Sequence, residues 1–80
     1  MTRYSFHTVD GGAHHDEEGV ELASHAAARM YAVKYASEIM ESEPELIWAG
    51  APFRVKVANE AGKQLFTVTC SAEDTARNPA

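Results

Sequence analysis

Residues 53–70, FRVKVANEAGKQLFTVTC, constrain the fold of this chain more than any other segment. Apolar and polar residues alternate on both sides of residues 59–62 (NEAG). The pattern therefore predicts a β-hairpin with a type I turn and a glycine at positive φ. The pairs expected from a four-residue loop are Val57 with Gln64, Val55 with Phe66 and Phe53 with Val68.

This register separates charged from apolar side chains. The apolar face would consist of Phe53, Val55, Val57, Phe66, Val68 and Cys70. The opposite face would consist of Arg54, Lys56, Leu65, Thr67 and Thr69. A three-residue loop with a glycine bulge would turn the threonines inward instead, because a one-residue slip reverses the faces of a strand. We prefer the first register. Another element of the protein must then pack on its apolar face and shield it from water.

Two further strands are predicted before residue 23. Residues 3–9 (RYSFHTV) alternate, with Tyr4, Phe6 and Thr8 on one side. The Asp-Gly-Gly of residues 10–12 predicts a turn that ends this strand. Residues 20–22 (VEL) predict a short additional strand.

A long helix near residues 24–42 is expected to cover the sheet. Ser24 is a good N-cap residue, residues 25–43 contain neither Gly nor Pro, and Pro44 disfavours continuation. At about 100° per residue, one side of this helix is rich in alanine. Its members are Ala28, Ala32, Tyr35, Ala36 and Ile39. Residues 44–51 are predicted to form a connector that contains one helical turn.

The elements predict an α+β fold with the order β-(β)-α-β-β. A small antiparallel sheet, with three main strands and one weak short strand, would be covered by one long helix. We expect a single domain over residues 1–72 and a frayed tail over residues 73–80, which has little to bury.

Composition makes several functions unfavourable. The net charge of −5 and the seven scattered basic residues argue against nucleic-acid binding by this chain alone. The single cysteine, Cys70, excludes a disulfide within the chain and a thiolate zinc site. The N-terminal residues lack a signal-peptide pattern, and no stretch approaches the roughly 20 apolar residues of a membrane span. We therefore expect a cytoplasmic protein that does not bind membranes.

Residues 9–22, VDGGAHHDEEGVEL, contain ligand types for a metal ion. The candidates are His14, His15, Asp16 and Glu18. Adjacent residues of an extended chain point to opposite sides, so His14 and His15 do not easily face one ion. We predict a solvated acidic loop and no metal.

No catalytic residue or cofactor is predicted. His7 lacks an evident nucleophile partner in the sequence, and Cys70 has no adjacent basic residue to activate it. Trp48 is the candidate for stacking a planar ligand, but packing in the core or at an interface is the preferred interpretation. The chain is expected not to be an enzyme.

Three motifs in order resemble a family of small bacterial proteins classed as a domain of unknown function. RYSFHTVDGG resembles an Arg-Tyr-Phe-Phe-His strand followed by a loop, and DEEGVEL before an alanine-rich helix resembles Asp-x-Glu-Gly-x-Glu-Leu. The final hairpin resembles Val-x-Asp-Glu-x-Gly-x-x-Leu. The resemblance covers roughly residues 3–70. Ser5 departs from it, as do His14 and His15. The resemblance implies a fold and a class of protein, but it identifies no catalytic residues.

Two other likenesses concern the fold alone. A strand, a helix and two strands, with Trp48 after the helix, resemble the flavin-binding dodecins. A strand and an acidic, glycine-containing segment before a helix resemble antitoxins of the HicB type. They imply two alternative functions, a flavin-like ligand-binding module and an antitoxin-like binding protein.

The number of apolar residues predicts a homo-oligomer, and a dimer is the preferred form. Apolar residues without an obvious place inside one subunit are Met30, Leu46, Ile47, Trp48 and Leu65. A small sheet also leaves unpaired edges that a twofold partner satisfies. The competing interpretation is that the connector buries Trp48 within the monomer. The preferred function is a non-enzymatic interaction or structural module, with a further protein partner left open.

Overall fold

The computed structural model describes residues 1–9, 13–14 by their backbone, 18–48 and 52–75. The strands are β1 (Thr2–Val9), β2 (Ala13–His14), β3 (Val20–Leu22), β4 (Phe53–Ala58) and β5 (Gln64–Cys70). Helix α1 (His25–Ser42) separates β3 from a 3₁₀ helix (Pro44–Trp48). The predicted α+β class and the single long helix are confirmed, and β2 is a short strand that the sequence did not indicate.

The sheet is antiparallel and has the order β2-β1-β4-β5, with β3 also paired to β1. Thr8 and Val9 pair with β4 and also with β2, so the end of β1 lies between two neighbours. The first strand of the chain is therefore central in the sheet, and β5 forms one edge.

Helix α1 begins and ends where the sequence predicts. The Ser24 side chain accepts a hydrogen bond from the backbone N–H of Ala27 at 3.1 Å, which satisfies one of the free donors of the first turn. The backbone N–H of Glu43 donates to the Ile39 carbonyl at 2.8 Å, and Pro44 then opens the 3₁₀ helix.

The core lies between α1 and the two central strands. Ala28, Ala32 and Ala36 are at most 1% exposed, so the helix approaches the sheet closely. The sheet side of the core consists of Tyr4, Phe6, Phe53, Val55 and Val57. No buried polar side-chain atom among the described residues lacks a hydrogen-bond partner.

The hairpin has the predicted faces but not the predicted register. The observed pairs are Val57 with Phe66, Val55 with Val68 and Phe53 with Cys70. The shift is two residues, and side chains alternate with a period of two, so the same residues still point inward. The loop is longer than expected because the Asn59 side chain holds it together through two hydrogen bonds to its backbone. Its side-chain oxygen accepts from the N–H groups of Ala61 at 3.0 Å and Lys63 at 2.9 Å. Gly62 has φ +82°, as the turn pattern predicts.

Leu65 corrects another expectation. Gln64 pairs with Ala58 and Phe66 pairs with Val57, so Leu65 is an extra residue in β5 and forms a bulge. Its side chain is half-buried and packs against the core. The assignment of Leu65 to the outer face, without a place inside the subunit, was wrong.

Candidate functional site

The candidate site is the free edge of β5. This strand pairs with β4 and with no other strand in the described part of the chain. Its sequence, QLFTVTC, contains no charged residue and no proline. Natural edge strands usually carry such residues, because an unpaired row of N–H and C=O groups templates another strand. The β5 edge is therefore open to strand pairing along most of its length.

Apolar side chains flank this edge on the helix side of the sheet. Phe66, Val68 and Cys70 are only half-buried, whereas their partners on β4 are 0% exposed, namely Val57, Val55 and Phe53. The inward residues of β1 and β4 are thus fully covered and those of β5 only in part, although the His25 ring of α1 lies against Phe66 with centroids 5.3 Å apart. The inner face of β5 retains apolar surface in contact with water.

Helix α1 adds a further apolar residue above the same edge. Tyr31 and Tyr35 contact Phe6 with ring centroids 4.8 Å and 6.3 Å apart, so this flank of the helix faces β1. Val33 lies two residues from each tyrosine, about 200° around the helix axis, and so belongs to the opposite flank. Val33 is 54% exposed. We refer to Val33, Phe66, Val68 and Cys70 as the apolar rim.

Trp48 lies near the end of β5 and is not buried by the connector. It is 57% exposed, while Leu46 and Ile47 are half-buried. A depression of about 290 Å³ is lined by Ile47, Trp48, Pro52, Ser71, Ala72, Glu73 and Asp74. Its two carboxylates disfavour an anionic ligand at Trp48.

The face of the sheet that points away from α1 has a different character. Its outward residues on β1 and β4 include Ser5, His7, Arg54 and Lys56, and the exposed Thr67 and Thr69 continue it on β5. Arg3 and Glu21 form an ion pair on this face at 3.7 Å. Arg54 and Lys56 are half-buried and form no ion pair or hydrogen bond with another described side chain. We call this surface the open face.

A family model described as a domain of unknown function, DUF6894, matches residues 3–71. The chain belongs to this family. The resemblance seen in the three motifs is thereby confirmed. No curated protein and no solved structure matches the chain.

The structure describes only some of the candidate metal-ligating residues of this DUF6894 domain. His14 belongs by its backbone to β2, opposite Thr8, while His15 and Asp16 lie outside the described residues. Glu18 is exposed, and its carbonyl accepts a hydrogen bond from the Arg3 guanidinium. The described residues contain no group of three or more His, Cys, Asp or Glu side chains that could hold a metal ion. The expectation of no metal stays a prediction.

The remaining candidates lie apart from one another. His7 is half-buried on the open face, and Cys70 is half-buried at the edge of the helix-side face. Trp48 lies on the 3₁₀ helix. Among the described helices of this DUF6894 domain, none is long and apolar enough to cross a membrane.

Sequence reasoning missed the apolar rim. The signal was the composition of residues 64–70, which lack charge in a chain where 24% of residues are charged. The alternation of β4 did indicate that Arg54 and Lys56 share a face, but not that they have no acidic partner among the described residues.

Proposed function

We propose that this DUF6894 domain is a non-enzymatic interaction module of the cytoplasm that works as a homodimer joined through β5. The observation that carries the proposal is the uncharged edge of β5 beside the apolar rim, which pairs with no other strand in the described ranges. Dimers built on a twofold axis use the same surface of both subunits, and an edge strand can pair with its own copy in this way.

A twofold axis at Val68 suits this edge best. Antiparallel pairing about that axis sets Phe66 opposite Cys70 of the partner subunit and Thr67 opposite Thr69 of the partner subunit. Paired residues share a face of the sheet. The apolar rims would therefore meet on the helix side, and the threonines would meet on the open face.

The size of the domain favours such an interface. A chain of 80 residues buries a smaller share of its surface than a larger domain does, and its core is correspondingly thin. Pairing β5 with its copy would exchange backbone hydrogen bonds to water for hydrogen bonds between strands, and would remove part of the apolar rim from water.

The cytoplasmic and non-enzymatic parts of the proposal rest on residue chemistry. One cysteine in 80 residues suits a reducing compartment. The sequence contains no motif of a nucleophile with its base, and none that binds a nucleotide phosphate.

Size-exclusion chromatography with light scattering tests the dimer. The wild-type protein is expected at twice its mass of 8.7 kDa. A double variant, Thr67→Glu with Thr69→Glu, is expected at 8.7 kDa, because each new carboxylate faces a carboxylate of the partner subunit. Within one subunit the same carboxylates lie opposite Lys56 and Arg54, so the monomer should stay folded.

The matched control is Thr67→Gln with Thr69→Gln, which adds the same bulk without charge and should remain dimeric. Far-ultraviolet circular dichroism checks the fold of all three proteins. A wild-type mass of 8.7 kDa at high micromolar concentration would contradict the dimer. A glutamate variant that stays dimeric would place the interface elsewhere than β5.

One observation favours the flavin-like alternative, namely the exposure of Trp48 at the wall of a depression. Glu73 and Asp74 line the same depression and would repel the phosphate of a flavin nucleotide. Visible absorbance of the purified protein separates the alternatives. A yellow protein with a mass of many subunits would support the ligand-binding module over the dimer.

A further inference from the structure

We infer that the open face binds an acidic segment of a partner protein, in an extended conformation, through Arg54 and Lys56. The first support is charge complementarity. The chain has a formal net charge of −5, yet these two cations share one face of β4 and have no acidic partner among the described residues. Glu21, an acidic side chain on the same face, is held by Arg3.

The spacing of the two cations supports an extended partner. Arg54 and Lys56 are two residues apart on one strand, so their Cα atoms lie about 6.7 Å apart. Alternate residues of an extended peptide have the same spacing. A segment with carboxylates at alternate positions can therefore meet both cations when it lies along β4.

The surroundings of the two cations are also suited to a polar chain. Lys56 lies between His7 on β1 and Thr67 on β5, and Arg54 lies between Val9 on β1 and Thr69 on β5. Lys56, His7 and Gln64 line a depression of about 280 Å³ on this face. Hydroxyl and amide groups around the cations supply hydrogen bonds to a peptide backbone or to a second carboxylate oxygen.

A nucleic acid fits the same face less well. Binding to a phosphate backbone draws on many cations, and single strands also need aromatic platforms for their bases. The described part of the open face has two unpaired cations, and its β4 and β5 residues include no outward aromatic side chain. The net charge of −5 repels a long polyanion more strongly than a short acidic segment, because the repulsion grows with the charge of the ligand.

Fluorescence anisotropy with a labelled peptide of alternating glutamate and threonine tests the inference. Wild-type protein at low salt should bind this peptide and should bind the glutamine version of the same peptide at least about tenfold more weakly. The variant Arg54→Gln with Lys56→Gln should lose about tenfold or more in affinity. Raising the salt to about 0.15 M should weaken wild-type binding, because part of the attraction is screened.

The matched control is Arg29→Gln with Lys34→Gln, which changes the net charge equally on exposed positions of α1. It should keep affinity within about twofold if the position of the charges matters. An equal loss in both variants would overturn the inference, as would the absence of binding to the glutamate peptide at millimolar protein. Tighter binding of a single-stranded RNA oligonucleotide than of the peptide would also overturn it.

This inference does not depend on the dimer. Arg54→Gln with Lys56→Gln should leave both the circular dichroism spectrum and the mass in light scattering unchanged. If the Arg54→Gln, Lys56→Gln variant loses affinity for the peptide but keeps the wild-type mass, the loss reports on the open face alone. If the wild type proves to be a monomer, the peptide experiment still tests the open face.

Discussion

Two glycines with positive φ differ in what surrounds them. Gly19 has φ +73° and Gly62 has φ +82°. A Cβ atom at Gly19 would lie 2.8 Å from the Tyr4 carbonyl oxygen and 2.9 Å from the Arg3 Cγ, whereas nothing lies within 4 Å of such an atom at Gly62. The turn pattern predicted the role of Gly62. The crowding of Gly19 comes from β1, far away in the sequence.

We predict that Gly19→Ala destabilises the fold more than Gly62→Ala. Both substitutions incur the strain of a left-handed residue, about 1–2 kcal/mol. Gly19→Ala adds a clash with backbone, for a total of about 3 kcal/mol. Urea denaturation measures both variants, and Gly62→Ala serves as the control for strain alone. Equal midpoints for the two variants would contradict the close approach of Gly19 to β1.

At the scale of elements, the distance between helix and sheet depends on three small side chains. Ala28, Ala32 and Ala36 are almost fully buried against β1 and β4. Alanine at all three positions lets the backbone of α1 come close to the sheet. The alanine-rich stripe was visible in the sequence, because helical periodicity is a local property.

We predict that Ala32→Leu destabilises the protein by about 1–3 kcal/mol, because three added carbon atoms must enter a packed layer. Ala26→Leu is the control. Residue 26 is exposed on the same helix, and the change should stay within about 0.5 kcal/mol. Thermal denaturation followed by circular dichroism measures both. If the Ala32→Leu variant has the melting temperature of the wild type, the helix and the sheet move apart more easily than the packing implies.

The hairpin shows what local pattern determines at this scale. Alternation in residues 53–70 assigned the faces of β4 and β5 correctly except at Leu65. The observed register differs from the predicted one by two residues. The side chain of Asn59 stabilises a longer loop, and Leu65 forms a bulge. Registers that differ by two residues bury the same faces, so hydrophobic pattern does not distinguish them.

At the scale of the whole molecule, the domain has unlike surfaces: an apolar rim beside β5 and a cationic open face. The proposed dimer couples association to folding. We predict that the melting temperature of the wild type rises with protein concentration, because subunits bind the folded state and not the unfolded chain.

Scanning calorimetry over a wide concentration range measures this dependence. The Thr67→Glu, Thr69→Glu variant should melt at a temperature independent of concentration, and the Thr67→Gln, Thr69→Gln variant should follow the wild type. A wild-type melting temperature that does not change with concentration would count against an association coupled to folding.

The sequence by itself determined the kinds of element, their order apart from the short strand β2, and most of their faces. Ser24, Pro44 and the alternation of residues 3–9 and 53–70 act through backbone geometry within a few residues, so they can be read without a fold. Family membership was visible in the same way, through three short motifs in order.

Tertiary structure alone decided which surfaces stay free. The central place of β1, the bulge at Leu65, the exposure of Val33 and Trp48 and the pairing of Arg3 with Glu21 all depend on residues distant in the chain. Whether β5 has a neighbour, and whether α1 reaches its inner face, depends on how the layers pack. Local periodicity carries no information about that packing, which is why the candidate sites emerged only from the fold.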